Sequence, residues 1–201
     1  ITANDTTTTT TATYVSVGDI WKSFGFQNPN PLKDVRGGGI LALQAMEYLL
    51  SRSQSPLRDE AKAAIKRRAY RENGSNYPWA AANVNIVHMV ACLFQVVGSA
   101  GNIRGIVLEP KRYWSLLLDG QEGRDGQDVV VDAVQAFCQV HSCASILLDR
   151  LFTHMGASYE TFPIVLAECK KRLMEHLEAS EGSLARLHES VVSDTLTLSS
   201  L

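Results

Sequence analysis

From Pro78 to about Val97 the chain is apolar on almost every face of a helix. Trp79, Ala82, Ile86, Val90, Leu93 and Val97 form one stripe, while Val84, Val87, Met89 and Phe94 cover most of the rest. Such a helix has little surface to offer water and needs neighbours all round. The remaining sequence supplies them. Short helical spacing at Gly18–Phe24 is followed by a loop, Gly25–Lys33, stiffened by Pro29 and Pro31. From Gly37 to Ser51, Ile40, Leu41, Leu43, Met46, Leu49 and Leu50 recur at intervals of three and four. Ser55-Pro56 reads as an N-cap followed by proline at the first helical position, and that helix runs to about Arg71 before Asn73-Gly74. Ile106–Leu118, between glycine-rich turns, reads as holding a short helix after Pro110. Asp128–His154 and Tyr159–Glu189 read as two long helices, the second with Gly182 as its weak point. No stretch shows the alternation of a strand. The predicted fold is all-α, one multi-helix bundle.

The ends differ from this body. Residues 1–13 hold the threonine run Thr6–Thr11 and read as a flexible arm, with Tyr14, Val15 and Val17 placed to pin its end. Residues 14–189 form the helical domain, and the polar tail 190–201 is expected to fray. The chain starts without methionine or a signal-peptide pattern, so it reads as an excised domain or an incomplete N-terminus.

Charge narrows the partners. With 19 basic and 21 acidic residues the net charge is −2, which argues against a general nucleic-acid binder. No apolar run approaches the roughly 18 residues of a membrane span. Cys92, Cys138, Cys143 and Cys169 form no C-x-x-C pair, and each lies in an apolar helical stretch. They read as buried thiols of a cytoplasmic, reducing compartment; His141 between Cys138 and Cys143 makes only a weak metal candidate. Asn85 and His88 are expected as hydrogen-bonded polar groups within the core. His154 and His176 have no partner at catalytic spacing, and no G-x-S-x-G or H-E-x-x-H occurs, so a self-contained hydrolase is unsupported.

Most information sits in Trp21–Tyr48: a tryptophan-anchored turn, a proline-stiffened loop, then Asp34-Val35-Arg36-Gly37-Gly38-Gly39 at a helix start. Asp34 has the chemistry of an N-cap. Arg36 would project from a helix N-terminus beside a rigid loop, where its planar five-donor cation suits phosphate. The glycines permit close backbone approach, although Gly38 has no evident role of its own. The same glycines admit a more remote reading, a helix terminus that binds a phosphate-bearing metabolite.

This segment resembles the signature of the ELMO (engulfment and cell motility) domain family, W-x3-G-F-Q-x3-P-x-T-D-[FL]-R-G-x-G-x-L-x-L-x2-L-x-Y. Trp21, Gly25, Phe26, Gln27, Pro31, Asp34, Arg36, Gly37, Gly39, Leu41, Leu43 and Tyr48 match in register, whereas Lys33, Val35 and Met46 depart from the pattern. Weaker likeness continues at Tyr77-Pro78-Trp79 with Asn85-Ile86, and from Leu148-Asp149-Arg150 to Phe162. The resemblance implies regulation of small GTPases. ELMO-domain-only proteins act as GTPase-activating proteins for Arf- and Arl-type GTPases through the arginine that Arg36 matches. The larger engulfment scaffolds lack it and dock exchange factors, so a non-catalytic helical scaffold for an exchange factor or cytoskeletal regulator is the alternative.

By this resemblance Arg36 is an arginine finger. Trp21, Gly25, Phe26, Gln27, Pro31, Asp34, Gly37 and Gly39 support its loop, and Gln27 is a further candidate for contact with a GTPase switch. GTP and Mg²⁺ would belong to the partner, since the chain has no G-x-x-x-x-G-K-[ST] and no cofactor site of its own. Lys33, Lys62, Lys66 and Arg67 are candidate contacts for an acidic GTPase surface or for the anionic membranes on which such partners work.

Overall fold

The computed structural model describes residues 16–35, 38–69, 76–94 and 126–194. Among them are seven α-helices and no strand. They are α1 (Val17–Ser23), α2 (Gly39–Glu47), α3 (Leu57–Ala69), α4 (Trp79–Leu93), α5 (Gly126–His154), α6 (Phe162–Ala179) and α7 (Leu184–Ser193). The all-α expectation holds. The threonine-rich arm, Tyr14, Val15, the Ile106–Leu118 segment and residues 195–201 lie outside the described residues.

α5 is the axis. It packs against α2, α3, α4, α6 and α7, and every residue from Val140 to Asp149 is buried. Two of its buried polar side chains, Ser142 and Asp149, are hydrogen-bonded, the first within the helix and the second to α3 and Tyr77. Ser142 Oγ donates to the Cys138 carbonyl at 2.8 Å. The helix is closed by Gly156 at φ +57°, with Ala157 N–H donating to Phe152 O at 3.1 Å.

α4, predicted to be buried all round, keeps a solvent stripe. Asn85 and His88 are exposed, with Ala81 and Cys92 partly so along the same line. Those intervals of four, three and four trace one helix edge. Asn85 and His88 are therefore not core polar groups. That place is taken by Asn83, 1% exposed, and His141, 0% exposed.

Three further boundaries differ from the sequence reading. The last turn of the second helix widens: Ser53 N–H donates to Tyr48 O at 2.8 Å across Tyr48–Arg52, a π turn. The long helix expected over Tyr159–Glu189 is two, because Glu181 (φ +50°) and Gly182 (φ +84°) reverse the chain and Ser183 caps α7. α7 then runs into the stretch expected to fray. Val191 is fully buried, and Arg150 Nη1 donates to the Val191 carbonyl at 2.6 Å, satisfying an end carbonyl of that helix. Val17, expected to pin the arm to the body, is 69% exposed and is not buried among the described residues.

Candidate functional site

The motif loop begins where α1 meets α4. α1 has no buried residue of its own and is held through Trp21, Phe24 and Gly18. Phe26 is buried and receives the Trp21 ring edge-on, with centroids 5.6 Å apart. Between them Gly25 adopts φ +88°, and a Cβ there would lie 2.5 Å from the Trp79 nitrogen. Only glycine fits, because loop backbone rests on the start of α4. The close approach has a chemical return: Ala80 N–H donates to Phe24 O at 3.1 Å and Ala81 N–H to Gly25 O at 3.4 Å. Two otherwise unpaired amides at the helix start are thereby satisfied.

Beyond Gly25 the loop folds around one carboxylate. Asp34 Oδ2 accepts from Gln27 N–H at 2.6 Å and from Asn28 N–H at 2.9 Å, while Oδ1 accepts from Asn28 Nδ2 at 3.0 Å. Asp34 thus reaches back along the chain and is not the N-cap of α2. That position belongs to Gly38, which makes no side-chain cap. Within the loop Asn30 Oδ1 accepts from Leu32 N–H at 3.0 Å, and Pro31 starts a 3₁₀ turn over Pro31–Lys33. Lys33 and Gln27 are exposed, so the Gln27 side chain faces solvent while its amide braces the loop.

Arg36 and Gly37 lie outside the described residues. Their neighbours are anchored. Val35 is buried, and Gly38 N–H donates to the Val35 carbonyl at 3.0 Å. A Cβ on Gly38 would stand 3.0 Å from both Ala42 Cβ and Val87 Cγ1, so this glycine has a packing role that its sequence context did not reveal. Gly39 is different: φ is +57° with open space around the missing Cβ, so conformation and not room calls for glycine.

The family model for the ELMO/CED-12 family matches residues 2–166. The chain belongs to the ELMO/CED-12 family. Among similar ELMO proteins, ELMO domain-containing protein C of Dictyostelium discoideum is 26% identical over 163 residues, covering 78% of this chain and 22% of its own length. ELMO domain-containing protein 3 of Homo sapiens is 36% identical over 73 residues, covering 36% of this chain and 18% of its own length. The chain therefore spans about a fifth of the length of these relatives. No solved structure matches it.

The other ELMO-like segments noted in the sequence converge on one buried carboxylate. Asp149 accepts from Arg67 Nη2 at 2.6 Å, Arg68 Nε at 2.9 Å and the Tyr77 hydroxyl at 2.9 Å. The Arg68 guanidinium also lies 4.8 Å from the Tyr77 ring centre and 4.7 Å from that of Phe152. Burial, reinforced by the Asp149 charge, holds the Tyr77 hydroxyl well above its ordinary pKa. Arg67, expected as a partner contact, is thus committed to the interior fold, although its side chain remains 48% exposed. Lys62 and Lys66 are exposed.

Two further groups resolve as structure. Burial pushes Cys138 up to about 11, and Cys143 and Cys169 up to about 12, so none is a thiolate near neutrality. His176, for which spacing suggested no partner, meets Ser190 Oγ at 2.6 Å and Asp194 Oδ2 at 3.1 Å. The break at Gly182 folds α7 back and creates this chain. Ser190 sits within α7, in the last turns of that helix. The arrangement fastens α6 to α7. Among the described residues no cluster could hold a metal ion, and no helix is long and apolar enough to cross a membrane.

Proposed function

We propose that this chain is a GTPase-activating protein for small GTPases of the Arf/Arl type, acting through Arg36 supplied in trans. The observation that carries this reading is the sequence Asp34-Val35-Arg36-Gly37-Gly38-Gly39 on a loop whose flanks are fixed. Asp34 closes it upstream through three hydrogen bonds, and Val35 and Gly38 anchor the residues beside Arg36. A finger loses less entropy on docking when its base is already ordered. Hydrolysis in such GTPases is limited by charge developing on the transferring phosphoryl group. An arginine in trans is worth on the order of 10³–10⁵ in rate, which is roughly 4–7 kcal/mol of barrier. Exposed Lys33 stands three residues from Arg36 and adds positive charge for a partner carrying nucleotide phosphates.

The test is a panel of purified Arf- and Arl-type GTPases, each loaded with GTP and mixed with this chain. Faster GTP loss from at least one, with tighter binding to its GDP–aluminium fluoride form than to its GDP form, supports the activator. Binding that ignores nucleotide state, with no acceleration, favours the scaffold that docks an exchange factor.

A further inference from the structure

Two large aliphatic side chains on either side of the motif arginine stand in water: Leu32 is 63% exposed and Ile40 is 67% exposed. A lone exposed leucine or isoleucine is ordinary on a protein surface. These two differ in how firmly they are held there. Leu32 lies in the 3₁₀ turn Pro31–Lys33, where its own amide donates to Asn30 Oδ1 at 3.0 Å. Two residues on, Asp34 is tied to Gln27 and Asn28. Ile40 stands in the first turn of α2. It heads the solvent edge of that helix, which continues through Gln44 and Glu47 at intervals of four and three. An apolar residue thus opens an edge that is polar from there on.

The core is already served by this segment. Val35 is buried, and Gly38 lies close against Ala42 and Val87. With Val35 turned inward, the aliphatic residues before and after it are left outside. Their positions are also the unspecified ones of the ELMO signature, the x of P-x-T-D and the second x of G-x-G-x-L. Pro31, Asp34 and Gly39 carry the shape of the loop. Positions 32 and 40 do not, so their side chains are free to suit what they meet.

Each stands four residues from Arg36, so neither Cα can be more than about 14 Å from the arginine's. A standard interface covers about 800 Å² on each partner, a patch roughly 16 Å in radius. A protein that takes Arg36 against its nucleotide comes down over the surface that holds Leu32 and Ile40. Exposed Lys33, between Leu32 and Arg36, offers charge complementary to that nucleotide's phosphates.

Resting on the activator reading, we propose that Leu32 and Ile40 are the apolar docking contacts for the GTPase that receives Arg36 and, with Lys33, set which GTPase fits. The occupant is a protein with aliphatic surface bordering an anionic, nucleotide-filled pocket. Labour is divided along the loop: the aliphatic pair supplies affinity, and the arginine supplies rate.

The test is single-turnover GTP hydrolysis by a responsive Arf- or Arl-type GTPase over a range of concentrations of the whole chain. This gives the half-saturating concentration and the maximal rate separately. Leu32→Ser combined with Ile40→Ser should raise the half-saturating concentration about tenfold or more, the worth of burying one such side chain. The maximal rate should fall far less. Serine is neutral, so the loss cannot come from altered charge. Leu32→Met combined with Ile40→Val should saturate as the wild type does. A serine pair that saturates at the wild-type concentration overturns the proposal and leaves the activator reading standing. So does one that loses maximal rate alone, or one that melts at a lower temperature, which would make the two side chains supports of the loop. A wild-type chain that accelerates no GTPase of the panel defeats the activator reading, and the docking contacts with it. Light scattering on the chain alone covers the other occupant: a dimer that the serine pair dissociates would assign the patch to a second copy and overturn the proposal.

Discussion

The Asp34 carboxylate and the Gln27 backbone amide, seven residues apart, are joined at 2.6 Å, and this bond closes the motif loop on itself. The carboxylate serves the loop that precedes Arg36 and not the helix that follows it. Asp34→Ala would strand the Gln27 and Asn28 amides as well as the Asn28 side chain. We expect a loss of about 1–3 kcal/mol in urea unfolding. Any stimulation of GTP hydrolysis should fall with it, since the base beside Arg36 would no longer be fixed.

Gly25 and Gly39 should respond differently to alanine. Both have positive φ, which costs a non-glycine residue about 1–2 kcal/mol. At Gly39 that is the whole effect, because nothing lies within 4 Å of the added carbon. At Gly25 the carbon would meet the Trp79 nitrogen at 2.5 Å, so loop and helix must separate. Thermal unfolding of the two variants side by side should show Gly25→Ala as clearly the less stable. Equal losses would contradict the close packing of loop on α4.

Asp149→Ala removes the shared acceptor of Arg67, Arg68 and Tyr77. The Arg68 side chain is only 8% exposed, so its charge would be left with little water. A loss of about 3–5 kcal/mol is expected, visible as a lowered denaturation midpoint. Arg67→Ala leaves Asp149 with its other two donors and removes a half-exposed side chain, so it should cost about 1 kcal/mol or less.

His141 is fully buried, and its burial lowers its pKa to about 4 from the usual 6.5. Neither of its ring nitrogens has a hydrogen-bond partner among the described residues. The unfolded chain therefore binds a proton here at higher pH than the folded one. The resulting stability is complete above pH 6.5 and falls progressively as the pH drops through about 4. The shift corresponds to about 3 kcal/mol. Urea midpoints measured from pH 7 to pH 4 should decline along this limb. His141→Leu should flatten that part of the profile, whatever its effect at pH 7.

Much of the fold was legible because helices declare themselves by period. The starts of α4 and α5, and the apolar face of α6, follow directly from spacing, whereas α2 buries Ala42, Ala45 and Met46 and leaves Ile40 67% exposed, because its closest contacts need small side chains. What spacing could not give were pairings across the chain. Asp34 looked like a helix cap because it stands just before the Gly37–Gly39 run, yet its partners lie upstream, where the Asn28–Pro31 turn returns the chain. Asp149 carries no local signal, since its donors come from α3 and from Tyr77, more than 70 residues away. Arg67 read as a surface cation for the same reason. Asn85 and His88 were misplaced because an apolar count cannot say which narrow edge of α4 is left to solvent. The split at Gly182 was visible only as a weak point: one glycine costs a helix about 1 kcal/mol and does not by itself end it. The reversal also needs Glu181 at positive φ, which leads directly into the Ser183 cap.

The most direct measurement of the central claim is single-turnover GTP hydrolysis by a responsive Arf- or Arl-type GTPase, with the wild-type chain, Arg36→Ala and Arg36→Lys compared at equal concentration. An arginine acting in trans predicts acceleration on the order of 10³–10⁵ by the wild type. Alanine should abolish it, and lysine, which lacks the planar fork, should restore little. Wild-type acceleration from Arg36→Ala would contradict the account.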